Sequence, residues 1–206
     1  MKILILILAI IVCLNMPAFG ITGLGFGLHA GMTNNYSYSI LDDSLRAIAQ
    51  NYPGLGIPDD IRFSEDLTSI GAHLKVGTLP IIDFYLFADY AWKKKELSSD
   101  IDLRLSDFSF GASAKKMFGF SILKPYLGAG VDMHNLVYTI EADSAGLILP
   151  VPDNQTKIGY HVVGGIELNF PILPLDPYAE YRHNWITTSE KVTKYGLFLL
   201  GLTFSI

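Results

Sequence analysis

The chain has 206 residues, of which half are apolar and only 17% are charged, and its formal net charge is −5. A soluble domain of this size carries about 25% charged residues, so the composition favours a membrane-associated protein. The mildly acidic balance also makes the chain a poor candidate for binding nucleic acid.

The first twenty residues have the pattern of a secretory signal peptide. An apolar run over residues 3–14 follows a lysine and stops before Pro17, so it is shorter than the roughly 20 apolar residues of a membrane-spanning helix. Small residues at 18 and 20 indicate a cleavage site, and we expect residues 1–20 to be removed. The only cysteine, Cys13, lies in this segment, so the mature chain would lack disulfides, thiolate metal sites and a cysteine nucleophile.

The remainder, residues 21–206, alternates apolar with small or polar residues. In its first segment Leu24 and Phe26 alternate with Gly25 and Gly27, and such alternation predicts a strand with one apolar side. Eight strands long enough to cross a bilayer predict an all-β, antiparallel, up-and-down transmembrane barrel, closed because lipid cannot satisfy an open sheet edge. The eight segments lie around residues 24–31, 69–77, 83–93, 108–115, 127–134, 158–170, 178–185 and 194–206.

One face of these strands combines glycine with charged side chains, which indicates that it lines a narrow polar lumen. The other face carries the larger apolar residues, which is the composition expected for contact with lipid. A soluble lipocalin-like barrel is the alternative, but its water-facing surface would hold more charge and less glycine. Buried charges must be paired, so we expect an internal salt-bridge network; a polar gate across a narrow pore is the other interpretation. The residues of this predicted network are Lys75, Asp89, Lys115, Asp132, Glu167, Glu180 and Arg182.

The predicted connections alternate in length, short after the second, fourth and sixth strands and longer at 33–66 and 141–156. This asymmetry is typical of periplasmic turns and outer loops. In the first long connection, Ser39–Gln50 places apolar residues at helical spacing and predicts a short helix. The helix would pack on the barrel rim, or act as a lid or partner-binding element. The apolar stretch Ala145–Pro152 would pack against it.

The last strand alternates apolar residues up to the C-terminus and resembles the signature by which outer-membrane barrels engage their insertion machinery. The resemblance implies recognition by that machinery and by periplasmic chaperones, and it implies no biochemical activity. The residues that carry it are Phe198, Leu200, Leu202, Phe204 and Ile206.

Three further segments resemble the OmpA-like and OmpW-like families of eight-stranded barrels. They are Pro125–Val131, Val163–Glu167 and Tyr178–Arg182. The resemblance implies the outer membrane of a diderm bacterium, and from the length we expect no peptidoglycan-binding domain of the OmpA type.

Candidate residues for chemistry are few. Four histidines, His29, His73, His134 and His161, fall on inward positions, where lumenal hydrogen bonding is the expected role. The chain also resembles lipid A deacylases, which place a catalytic His and Ser two residues apart on the lipid face. Here His183 is followed two positions later by Trp185, so the nucleophile is missing. We therefore predict no enzyme, no cofactor and no metal site.

Three functions remain as hypotheses. The leading one is an integral outer-membrane barrel with a structural or surface-interaction role, a plugged lumen, and an external ligand or host molecule bound by its outer loops. The second is a narrow channel or carrier for small hydrophobic solutes, as in OmpW-like proteins. Apolar residues on the inward face of the last strand, Leu197 and Leu199, favour this second function. A lipid A-modifying enzyme is the third.

Overall fold

The computed structural model describes ten stretches of the chain: residues 23–37, 39–51, 53–55, 64–79, 82–98, 101–119, 122–142, 154–170, 174–187 and 192–205. Eight long strands are β1 (Leu24–Asn34), β4 (Thr68–Leu79), β5 (Ile82–Ser98), β6 (Ile101–Met117), β7 (Leu123–Ala142), β8 (Gln155–Leu168), β9 (Leu175–Thr187) and β10 (Val192–Ser205). Between β1 and β4 lie β2 (Tyr36–Ser37), helix α1 (Ser39–Asn51), a 3-10 turn (Pro53–Leu55) and β3 (Ser64–Glu65). The predicted signal peptide lies outside the described residues and stays a prediction.

The eight long strands form a closed antiparallel barrel, which confirms the predicted fold. Each strand pairs with its neighbours in the chain, and β1 closes the barrel against β10, from Gly25 opposite Ser205 to Asn34 opposite Gly196. The short pair β2–β3 and helix α1 lie together at one end, which we call the α1 end. Strand β1 begins, and strand β10 ends, at the opposite end of the barrel.

Burial alternates along the strands as the two-residue period predicts. In β1 the glycine, histidine and threonine positions face inward, whereas Phe26, Leu28 and Met32 are 55–66% exposed on the outer wall. No described helix is long and apolar enough to cross a membrane.

Strands β5 and β6 are longer than predicted. The alternation suggested ends near residues 93 and 108, but β5 continues to Ser98 and β6 begins at Ile101. The reason is that the inward side chains change from polar to apolar here: Leu97, Leu103 and Leu105 are buried. Because the prediction relied on small or polar residues at inward positions, it ended β5 and began β6 too close to the middle of the barrel.

Helix α1 caps that apolar section. Its residues Leu41, Leu45, Ile48 and Ala49 are at most 3% exposed, and their spacing of three and four residues places them on one helix face. They pack inside the opening of the barrel at the α1 end, which we call the mouth, against inward-facing residues of the strands. These residues are Ala91, Leu97, Ile101, Leu103, Leu105, Leu136, Tyr138, Ile186, Tyr195, Leu197 and Leu199. The helix predicted in the first loop is confirmed, while the stretch at 145–152 lies outside the described residues.

Candidate functional site: the filled lumen and its cap

Arg182 is the centre of an ionic network in the middle of the lumen. Its two terminal nitrogens donate to Oδ2 of Asp89 over 2.8 Å and to Oε1 of Glu180 over 3.1 Å. The other oxygen of Glu180 accepts from Lys115 and, over 2.8 Å, from the hydroxyl of Tyr126. All five side chains are at most 5% exposed. Each charge therefore has an opposite partner, which is the condition for keeping charges out of water.

A second ion pair lies nearer the end opposite α1. Lys75 donates to Oε1 of Glu167 over 3.2 Å and lies 3.4 Å from Oδ2 of Asp83. The hydroxyl of Tyr85 donates to Glu167 over 3.5 Å. The ammonium of Lys115 lies 4.1 Å from the centre of the Tyr85 ring, a cation–π distance. Tyr85 therefore connects this pair to the network around Arg182.

Two histidines extend the central network towards β10. Nε2 of His29 contacts Oδ1 of Asp89 over 2.5 Å, and Nδ1 lies 3.0 Å from the hydroxyl of Tyr178. The same hydroxyl is 3.3 Å from Nδ1 of His73, whose Nε2 lies 3.0 Å from the hydroxyl of Thr203. Hydrogen bonds thus cross the lumen from β5 to β10.

A separate hydrogen-bonded chain lies nearer α1. Ser113 is 2.8 Å from Nε2 of His161, and Nδ1 of His161 is 2.7 Å from Oδ2 of Asp132. His134 then lies between two carboxylates, with Nε2 2.9 Å from Asp132 and Nδ1 2.9 Å from Asp107. His134 therefore bridges the two carboxylates.

The ring of Phe87 lies between the two networks. The guanidinium carbon of Arg182 is 4.1 Å from the ring centre, and the His161 ring meets it edge-on at 5.4 Å. Phe87 is 6% exposed. An apolar side chain thus separates the central ionic network from the histidine chain.

Ser113, His161 and Asp132 have the hydrogen-bond order of a nucleophile, base and acid. However, Ser113 is 2% exposed and His161 is 1% exposed, and an acyl substrate must reach the hydroxyl. Because their side chains are buried, Ser113, His161 and Asp132 can form a structural chain of hydrogen bonds in this conformation. In the part of the chain that the structure describes, no group of three or more acidic, histidine or cysteine side chains is arranged to hold a metal ion.

Glycines on neighbouring strands make room for the lumenal histidines. Gly71 and Gly27 lie directly opposite His29 and His73, and a Cβ on either glycine would lie 2.3–2.4 Å from the imidazole across from it. A Cβ on Gly130 would meet the ring of His161 at 2.5 Å. Each of these inward glycines therefore leaves the space that an imidazole ring on a neighbouring strand occupies. At these positions the lumen is filled because a glycine and a histidine lie side by side.

The structure places all seven residues of the predicted network inside the barrel. Six of them form the contacts around Arg182 and Lys75, whereas Asp132 belongs to the histidine chain. Asp107 was not among the predicted lumenal residues, because it lies beyond the predicted start of β6. Tyr36 was not predicted either, because it lay in a predicted loop, where no periodic pattern assigns a side chain to a face. Its hydroxyl donates to Oδ2 of Asp107 over 3.3 Å.

The predicted insertion signature lies on the outside of β10. Phe198, Leu200 and Leu202 are 50–70% exposed and Phe204 is partly exposed, while Ile206 lies outside the described residues. Their recognition by insertion machinery stays a prediction. His183 and Trp185 also lie on the outer side, with ring centres 4.5 Å apart, and Trp185 stacks on Tyr160 at 5.3 Å. These rings form an aromatic belt.

An eight-stranded closed barrel with an apolar outer wall, an aromatic belt and a filled polar interior defines an outer-membrane β-barrel protein. A family model described as Opacity family porin protein matches residues 79–206. The chain belongs to this family, and it is a protein of the outer membrane. No curated protein matches the sequence.

Solved structures with the same fold come from three bacterial groups. Neisserial surface protein A is 21% identical with a TM-score of 0.56, covering 89% of this chain and 97% of its own. Ail, the attachment invasion locus protein of Yersinia pestis, was solved with the heparin analogue sucrose octasulfate; it is 12% identical with a TM-score of 0.54, covering 90% and 99%. The N-terminal barrel of Pseudomonas aeruginosa OprF is 13% identical with a TM-score of 0.50, covering 90% and 98%. These likenesses concern the fold.

Proposed function

We propose that this protein is a closed, non-conducting outer-membrane barrel that acts at the cell surface through its α1 end, in a structural or surface-interaction role. The observation that carries the proposal is the double filling of the lumen. A paired ionic network occupies the middle, and helix α1 occupies the mouth. An eight-stranded barrel is just wide enough for side chains to fill it, so a solute would have to displace both.

The buried charges support the closed lumen quantitatively. Removing one partner of a buried ion pair costs about 3–5 kcal/mol, because the remaining charge is left unpaired. A solute crossing the section at Arg182 would disrupt contacts with both Asp89 and Glu180. Spontaneous opening of this section would therefore be rare.

A second candidate function is a carrier for small apolar solutes that enter the mouth. The apolar inward residues beneath α1, such as Leu197 and Leu199 at 4% and 2% exposed, support it. If α1 moved away, they would line an apolar cup. The ionic section lies farther into the barrel, so an apolar solute would have to leave through the wall.

Planar-bilayer recording of the purified full-length chain tests the proposal. We expect no reproducible conductance from the natural chain, nor from a variant in which residues 39–51 are replaced by a Gly/Ser linker, because the ionic network remains. Discrete single-channel steps from the natural chain, whether or not they vanish with the linker variant, would contradict the closed lumen.

A solute-uptake assay in vesicles separates the two candidate functions. The closed barrel predicts equal uptake of an apolar fluorescent probe with and without protein, whereas the carrier predicts uptake that rises when Leu45 is changed to Ser. Leu45 is 1% exposed on the face of α1 that packs in the mouth. The matched control is Ala47→Ser on the exposed side of the same helix.

A further inference from the structure

A groove of about 840 Å³ lies on the outer wall of the barrel across β1, β10, β9 and β8. Three small outward-facing residues, Ala30, Ala179 and Gly164, lie there among large apolar side chains. Leu200, which is 70% exposed, lies directly between Ala30 and Ala179, and Tyr181 lies directly opposite Gly164. Because the small residues leave space beside the large ones, this part of the outer wall is recessed.

The groove lies at the depth of lipid hydrocarbon. Tyr181 in the groove precedes Trp185 of the aromatic belt by four residues on the same face of β9, which is about 13 Å along the strand. Half of the hydrocarbon core of a bilayer is about 15 Å thick. With the belt at the interface, the molecules that meet the groove are the acyl chains of lipids. A chain that fills the recess gains dispersion contacts with its floor and its sides.

A cation lies beside the belt on the same strands as the groove. Lys194 is exposed on β10 directly opposite Trp185, and it precedes the groove residue Phe198 by four residues on the same face. Within the described part of the chain, no carboxylate pairs with its ammonium. The ammonium has three N–H donors and the indole of Trp185 has one. Charge-assisted hydrogen bonds of this kind are strong with phosphate oxygens.

We propose that the groove and Lys194 together bind a membrane lipid with an anionic phosphate headgroup. One acyl chain lies in the groove against Ala179 and Gly164, and the phosphate accepts hydrogen bonds from Lys194 and from the indole N–H of Trp185. The lipid comes from the leaflet at the α1 end, where Lys194 and Trp185 lie. Every contact is on the outer side of the barrel, so the proposal does not depend on a closed lumen.

Quenching of tryptophan fluorescence by brominated lipid tests the proposal. The chain has two tryptophans, Trp92 and Trp185, so the W92F variant reports on Trp185 alone. In vesicles of phosphatidylcholine brominated on its acyl chains, an unbrominated lipid that displaces the quencher restores the emission. We expect dioleoyl phosphatidic acid to do so at about one tenth of the concentration at which dioleoyl phosphatidylcholine does, because its phosphate is an accessible dianion or monoanion for charge-assisted hydrogen bonds.

Substitution of Lys194 tests the headgroup contact. We expect K194Q in the W92F background to weaken the apparent affinity for phosphatidic acid about tenfold, to that for phosphatidylcholine, since the charge-assisted hydrogen bonds are lost. The matched control is K116Q, an exposed lysine of β6 at the other end of the barrel, 5.7 Å from the Phe118 ring; it should bind as the parent does.

Filling the groove tests the acyl-chain contact separately. We expect A179F in the W92F background to lower the apparent affinity for phosphatidic acid at least severalfold, because a phenyl ring between Leu200 and Ile166 occupies the recess. The matched control is A129F, at an exposed alanine of β7 outside the groove, and it should leave the affinity unchanged. Heat-modifiable migration on gels verifies that each variant is folded.

Several outcomes would overturn the proposal. Equal affinities for the two lipids would show that the phosphate is not recognised, and equal affinities in K194Q and K116Q would remove the cation from the site. Equal affinities in A179F and A129F would remove the groove. Competition by soluble inorganic phosphate as effective as that by phosphatidic acid would assign Lys194 to a soluble anion. A dimer in analytical ultracentrifugation that A179F dissociates would assign the groove to a second copy of the chain.

Discussion

The hydroxyl of Tyr36 donates a hydrogen bond to Oδ2 of Asp107 over 3.3 Å and joins the segment before α1 to the wall of the barrel. Tyr36 is fully buried, and its ring centre lies 4.7 Å from that of Tyr195. Asp107 in turn contacts His134. The cap and the histidine chain are therefore one connected structure.

Tyr36→Phe should loosen the cap without unfolding the barrel. The variant keeps the ring contact but removes a hydrogen bond to a carboxylate, which is worth about 1.5–3 kcal/mol. Hydrogen–deuterium exchange should accelerate in α1 and remain unchanged in β9. Tyr160→Phe, on the exposed outer wall, is the control. Exchange in α1 equal to that of the control would show that the contact does not hold the cap.

Arg182→Met should lower the free energy of unfolding by about 3–5 kcal/mol, because it removes the guanidinium from buried Asp89 and from Glu180, which keeps its contact with Lys115. The measurement is urea unfolding in detergent or vesicles. Lys116→Met at the exposed end of β6 should change it by less than about 1 kcal/mol. Combining Arg182→Met with Asp89→Asn should recover part of the loss, and strictly additive effects would argue against direct coupling.

Gly31→Ala should severely impair folding, whereas Gly164→Ala should be tolerated. A Cβ on Gly31 would lie 1.8 Å from the carbonyl oxygen of Phe198, so the backbone itself would have to move. On Gly164 the nearest atom is a Leu127 methyl group at 3.2 Å, which can shift. The yield of heat-modifiable protein after refolding measures the difference, and similar yields would contradict the packing described for β1 and β10.

Leu200→Arg should destabilise the barrel in bilayers by about 2–4 kcal/mol, because a charge near the midplane of the lipid face is costly. Leu200 is 70% exposed in the middle of β10. Thr139→Arg, exposed on β7 beyond the aromatic belt, should cost about 0–1 kcal/mol. Reversible unfolding from vesicles measures both, and equal costs would show that Leu200 does not face lipid.

The candidate site could be predicted only in part. Lys115 and Glu180 were identified as lumenal because the strand period assigns each side chain to a face, but their direct pairing crosses the barrel from β6 to β9. No local pattern encodes such a contact. His29 and Gly71 were each assigned to the lumen, yet their fit depends on the register of β1 against β4. Asp107 was missed because apolar inward residues interrupt the expected pattern beside it.

The sequence by itself determined the eight strands, their inner and outer faces and the helix in the first loop, because these depend on local periodicity and on the solvent each face meets. Only the tertiary structure decided which lumenal charges are partners, how Phe87 divides them into two networks, and that α1 enters the mouth rather than lying on the rim. These features depend on barrel closure, which brings strands distant in the chain within a side chain's reach of one another.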